Sequence, residues 1–224
     1  MLRPKKHITR KEIRRDPLLE TVDQAQAHIE QNKSTYMKVA VGVIGMLIVF
    51  NITVGKRTQR NIDASASLGQ ALISLDRNDL NTAQFQLETI NDEFTGTNSG
   101  DISEYYLGKI QYESGELIDA EKYLQDFLKK DSAPYLHIPA ILMLIDIELN
   151  KNNLTEAIGL VDKGIRVCED IHNLRTLKLK KAQLSFMNGD KDISRKIIDE
   201  ILKDKNLGSN HRLMAEEIFG KLVG

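Results

Sequence analysis

The chain predicts an all-α protein, with a single transmembrane helix near the N-terminus followed by a solenoid of four helix pairs and a C-terminal capping helix. Three observations carry this expectation. Turn-forming pairs recur at a fixed interval of 37 residues, at Asn78-Asp79, Gly115-Glu116, Asn152-Asn153 and Gly189-Asp190. Five residues after the first member of each pair stands a small side chain, Ala83, Ala120, Ala157 or Ser194, as two closely crossing helices require. Upstream of these repeats, residues 37–55 read MKVAVGVIGMLIVFNITVG, with Lys38 as their only charge.

The leader, residues 1–36, is basic, and the resulting charge balance predicts that it stays cytoplasmic. Residues 1–38 hold nine Lys or Arg against five Asp or Glu, a net of +4, while the whole chain carries −1. Thr9 and Glu12 have capping-box spacing, and Asp16-Pro17 suits an N-cap followed by a first helical turn. Leu18, Val22, Ala25 and Ile29 then recur at spacings of 4, 3 and 4, so an amphipathic helix carries one apolar stripe. Leu18, Val22 and Ile29 are the residues expected to meet a partner helix or the membrane surface. The basic cluster at 3–15 serves topology and solvation, and without interleaved aromatics it gives no ground for nucleic-acid binding.

Residues 37–55 follow as the anchor. As a helix, nineteen residues extend about 28 Å, close to the ~30 Å hydrocarbon thickness of a bilayer. Lys56, Arg57, Arg60 and Asp63 separate this segment from the small residues Ala64-Ser65-Ala66, which disfavours a cleavable signal and favours an uncleaved span. The basic leader puts the N-terminus in the cytoplasm and the following domain outside, although Lys56, Arg57 and Arg60 crowd the far flank.

Residues 56–208 hold the repeats, and their large apolar residues keep the same register. Leu87, Leu124, Val161 and Ile198 follow the small residue by one turn. Leu75, Tyr112, Leu149 and Phe186 precede the turn by three. Leu80, Leu117 and Leu154 follow it by two, but the fourth copy has Lys191, as suits a terminal repeat with a neighbour on one side only. Charged residues make up 28% and aromatics 5%, and no strand-like alternation is present, so sheet architectures are excluded. Residues 209–224 read as a capping helix, with Ser209 or Asn210 as N-cap and Leu213, Met214, Ile218 and Leu222 along one side.

The second copy resembles a tetratricopeptide repeat residue by residue. Leu107-Gly108 stands where that family has its Leu-Gly pair, Gly115 at the turn, Ala120 in the close crossing and Leu124 in the usual aromatic slot, while Pro134 closes the unit two places late. The other copies carry Ala71, Ile145 and Ala182 in place of the glycine, and a unit of 37 exceeds the family's usual ~34 by about three. The resemblance covers roughly residues 64–205 and implies a right-handed solenoid. It also implies protein binding on a concave surface lined by the first helix of each pair. On this chain that lining is expected to include Tyr105, Tyr106, Lys109 and Tyr112, then Leu142, Met143 and Asp146. Tyrosine, apolar with a polar tip, suits recognition of an extended or partly unfolded chain.

Catalytic chemistry finds no constellation here. No two histidines stand at the i, i+4 spacing of a helical metal pair, and Cys168 is the only cysteine. A phosphate-cradling glycine loop and a nucleophile elbow are both missing from the sequence. The expectation is a non-enzyme with no metal, cofactor or small-molecule substrate.

The layout of basic leader, single anchor and tetratricopeptide-like array is similar to the bacterial ancillary Sec-translocon subunit family. Similarity extends to the leader around Thr9-Arg10-Lys11-Glu12 and onward through Asp16 to Lys33. It implies a single-pass protein of the bacterial inner membrane, with its repeats in the periplasm contacting translocon components, chaperones or unfolded secretory chains. The other reading is a structural scaffold of an envelope or cell-division assembly, held together through the leader stripe.

Overall fold

The computed structural model describes residues 17–223, with the side chains of residues 17–20 and 24 excepted. The expected capping box at Thr9 and Glu12, the basic cluster, Asp16 and the side chain of Leu18 lie outside the described residues. The chain divides into two units, with the boundary between Thr58 and Gln59.

In the first unit, helix α1 (Pro17–Gln31) begins on the proline that suits a first helical turn. Asn32 interrupts the helix for a single residue, and α2 (Lys33–Asp76) then starts. The break is stitched locally: the backbone N–H and side-chain amide of Asn32 both donate to the His28 carbonyl, at 3.1 and 3.0 Å. The Asn32 carbonyl in turn accepts from Thr35 and Tyr36. Helix α2 has 44 residues and runs without a break through the apolar segment. No residue of its most apolar window is buried inside the protein, so the segment is not a core helix. It is long and apolar enough to cross a membrane. Thr53 and Thr58 turn their hydroxyls back onto the carbonyls of Val49 and Val54, so neither needs an outside partner.

The second unit is a succession of antiparallel hairpins. The C-terminal part of α2 pairs with α3 (Leu80–Glu93), α4 (Asn98–Glu113) with α5 (Leu117–Phe127), α6 (His137–Asn150) with α7 (Leu154–Val167), and α8 (Ile171–Met187) with α9 (Lys191–Leu202). A 3-10 turn at Pro134–Leu136 leads into α6, and α10 (Ser209–Val223) packs on α8 and α9. Among the described residues there is no strand.

The joint of each hairpin explains the 37-residue register. Asn78, Gly115, Asn152 and Gly189 all sit at positive φ, between 59° and 89°. Glycine adopts this left-handed conformation freely and asparagine tolerates it better than most residues, which is why only these two types occupy the position. Around it a Schellman pair of hydrogen bonds closes the first helix. In the second hairpin Gly115 N donates to Tyr112 O at 3.1 Å and Glu116 N to Gln111 O at 2.9 Å, and the other three joints repeat both bonds. The next residue, Asp79, Glu116, Asn153 or Asp190, is already the N-cap of the following helix, so one joint ends one helix and begins another.

Packing follows from the joint. Ala83, Ala120, Ala157 and Ser194 are fully buried where the helices cross, as are Leu87, Leu124, Val161 and Ile198 one turn later. The second hairpin is the tightest on glycine: a Cβ on Gly108 would lie 2.8 Å from Leu124 Cγ and 3.2 Å from its backbone nitrogen. In the fourth, Ser194 buries its hydroxyl without a hydrogen-bond partner. Lys191, which breaks the apolar pattern there, lies over the Phe186 ring at 5.9 Å and so replaces a leucine contact with a cation–π one.

The capping helix corrects two expectations. It starts at Ser209, with the Gly208 carbonyl accepting its first bond, so Gly208 takes the place expected of Ser209 or Asn210. Its buried face is His211, Ala215, Ile218 and Leu222, while Leu213 and Met214 are exposed. His211 ranks as polar in a sequence pattern, yet it supplies the inward position. Its Nε2 shares a 3.1 Å hydrogen bond with Thr176 Oγ1, and its ring meets that of His172 edge-on at 4.5 Å. Burial first, then the neighbouring His172 and Arg175, hold the His211 imidazole below its ordinary value of 6.5.

Two outcomes are expected from this architecture. Gly115→Ala places a Cβ at positive φ with open space around it, so urea unfolding should show a loss of about 1–2 kcal/mol from the backbone alone, whereas Asn152→Gly should leave stability near that of the parent. Because His211 is depressed in the folded state, the unfolded chain binds the proton first. The stability it contributes is therefore fully present above the ordinary imidazole value and is lost as pH falls below it. Denaturation series between neutral and mildly acidic pH should show this loss, and His211→Gln should flatten it.

Candidate partner-binding face

The first helices of successive hairpins, α4, α6 and α8, present adjacent faces, and the residues expected to bind a partner divide here into three groups. Tyr105 belongs to the interior. It is only 7% exposed and packs among Phe127, Leu124, Leu136 and Leu144, with its ring 5.5 Å from that of Phe127 and 5.1 Å from that of Tyr106. Burial leaves Tyr105 little surface with which to line a binding face, which corrects that expectation, and Leu136 of the α5–α6 connection lies in the same cluster. Burial pushes its phenol above the usual range, as suits a packing residue.

Tyr106, Tyr112 and Met143 form the second group. They are half-buried against the same core cluster, with part of each side chain left at the surface. Leu142 is also half-buried but packs against the neighbouring cluster around Ile141, Ile145 and Val161. Lys109 pairs with Glu113 one turn on, at 3.8 Å, an exposed contact of little energetic weight.

The third group is a polar ladder across three helices. Tyr112 Oη donates to Asp146 Oδ2 over a long 3.5 Å, and Lys180 Nζ donates to Asp146 Oδ1 at 2.7 Å. Burial raises the Tyr112 phenol and the Asp146 charge raises it further, so it remains a neutral donor. Lys180 is missing from the sequence reading because the ladder steps by 34 residues while the joints step by 37. Ser65 and Ser99 meet across the first helices at the same 34-residue separation. Adjacent first helices therefore pack with a stagger of three residues, roughly 4.5 Å along the axis. A sequence register aligns equivalent positions but does not show which of them touch.

Helix α8 is the most basic of the repeat helices, yet each of its cations has an acidic neighbour. Arg175 meets Asp204, Lys178 meets Glu200, Lys180 meets Asp146 and Lys181 meets Asp162. This pairing leaves α8 without a free basic stripe for a polyanion. Between α8 and α10 lies a cleft of about 380 Å³ lined by Phe186, Met187, Met214 and Ile218, with Gln183, Glu217 and Lys221 at its polar edge. Cys168 Sγ donates to the Asp170 carbonyl at 3.3 Å, and burial raises its thiol, opposite to what a thiolate nucleophile requires. Among the described residues no three His, Cys, Asp or Glu are grouped to hold a metal.

The division between core and face is measurable. Tyr105→Ala should cost about 3–4 kcal/mol in chemical denaturation, as for other buried aromatics, whereas Lys109→Ala should stay within about 0.5 kcal/mol of the parent.

Comparison with known proteins places the molecule. No curated protein matches the chain. Among solved structures, one titled "Functional Characterization of Pseudomonas Aeruginosa pilF" is similar at 13% identity, with a TM-score of 0.46 over 72% of this chain and 86% of that one. A family model described as a tetratricopeptide repeat-like domain matches residues 26–166, more than half the sequence. The chain belongs to the tetratricopeptide repeat-like domain family.

Proposed function

We propose that this protein is a membrane-tethered, non-enzymatic adaptor that binds other proteins on its repeat array. In this reading α2 crosses the bacterial inner membrane once, with the leader cytoplasmic and the repeats periplasmic. The array links the Sec translocon to chaperones or to emerging secretory chains.

The observation that carries the proposal is α2, whose apolar window is wholly exposed and lies on the same helix that supplies the first half of the first hairpin. Exposed apolar surface of that extent needs a solvent other than water. Tethering holds the array near membrane-bound partners and raises their effective concentration, so modest affinities suffice. The face offered is Tyr106, Tyr112, Leu142 and Met143, with Lys109 and the Asp146–Lys180 pair beside them. Its mixture of half-buried apolar side chains and fixed polar groups suits an extended polypeptide.

Protease treatment of intact spheroplasts should digest the region after residue 58 while leaving the leader protected. A photo-crosslinker at Tyr106 or Met143 should capture translocon components, periplasmic chaperones or secretory chains. Protection of the repeats, or recovery of cytosolic proteins alone, would reject the assignment.

A further inference from the structure

Helix α1 has no core of its own. Each of its described side chains is exposed, with Val22 at 59% and Ile29 at 55%. A 15-residue helix is marginal in water without a covered face, so this stripe requires an occupant. The pattern of the stripe and the charges around it decide which one.

The spacings of 4, 3 and 4 between Leu18, Val22, Ala25 and Ile29 are those of a heptad seam, with Leu18 and Ala25 at d and Val22 and Ile29 at a. The seam is narrow. An interfacial helix uses a broad apolar face with aromatic anchors and a polar face rich in Lys and Arg, but α1 contains no aromatic residue other than His28 and no Lys or Arg. It carries three acids instead, Glu20, Asp23 and Glu30, and anionic lipid would repel them. By sequence register these acids take the b and f positions of the heptad. The positions flanking the seam, Leu19 and Gln26 at e and Thr21 and His28 at g, hold no carboxylate or ammonium group. Two identical helices therefore meet in register without like-charge repulsion, and nothing there demands an oppositely charged partner. β-Branched residues at a with leucine at d favour a parallel two-stranded coil, and alanine at the other d permits close approach.

We infer that α1 is a homodimerisation element whose stripe packs in parallel against the stripe of a second copy of this chain. Two heptads are too short to associate firmly from dilute solution. The span that begins a few residues after α1 supplies the rest, because copies anchored in one membrane share orientation and a small volume. This goes beyond the adaptor reading and uses from it only the anchor.

Cysteine mapping on the full-length chain in membranes tests the inference. On a Cys168→Ser background, single cysteines are placed at Val22, Ala25 and Ile29 on the seam, and at Asp23, Ala27 and Glu30 off it. Mild oxidation should give disulfide-linked dimers at the first three and little at the others, and adding Ile29→Asp to the Val22→Cys protein should abolish its dimer. Equal crosslinking at all six positions, crosslinking at none, or capture of a different protein at the seam would overturn the proposal. None of these results bears on whether the repeats bind translocon components or secretory chains.

Discussion

The left-handed joint is the constraint on which the repeat unit depends. One residue at positive φ, two Schellman bonds to carbonyls behind it and an immediate N-cap ahead of it set the angle at which a second helix returns along the first. That angle brings Ala83, Ala120, Ala157 and Ser194 against the preceding helix, and only a small side chain fits there. Close crossing in turn buries Leu87, Leu124, Val161 and Ile198 completely. The cores between hairpins then assemble from these rows, each hairpin covering what its neighbour leaves open.

Polar contacts supply specificity where the apolar rows do not. Lys151 reaches Glu121 of the preceding hairpin at 2.5 Å and Glu148 of its own at 2.9 Å, and Asn153 holds the other Glu148 oxygen at 2.8 Å. Although burial alone would raise the Glu148 carboxyl, these partners outweigh it and keep the group below the ordinary carboxylate range. Such a network ties one hairpin to the next, since a slipped neighbour would take Glu121 away from Lys151 and leave that lysine to Glu148 alone. The cations of α8 act similarly toward α6, α7, α9 and the segment before α10.

Much of this was legible in the sequence, for identifiable reasons. Joints show because positive φ restricts residue type, and crossings show because only a small side chain, alanine or serine, is found there. Helix ends at Asp76, Glu113, Asn150 and Met187 keep the 37-residue interval of the joints that cause them. What was hidden depends on contacts between hairpins. Tyr105 and Tyr106 are adjacent and chemically alike, yet one is interior and the other half-exposed, since successive residues lie about 100° apart around a helix and the inward direction is set by the neighbouring hairpin. Lys180 joins the ladder only through the stagger of the first helices. His211 faces inward because Thr176 and His172 wait there, which no periodicity of apolar residues reveals.

Because each joint ends one helix and caps the next within two residues, it has no slack. A residue added or removed there would rotate the whole second helix by about 100° and carry its buried row away from the core. The segments 94–97, 128–136 and 168–170 between hairpins, and 203–208 before α10, differ in length. Insertions and deletions accepted during descent should therefore collect in those four segments and spare the joints, so that related chains drift in overall period while keeping the interval between each turn and its small residue.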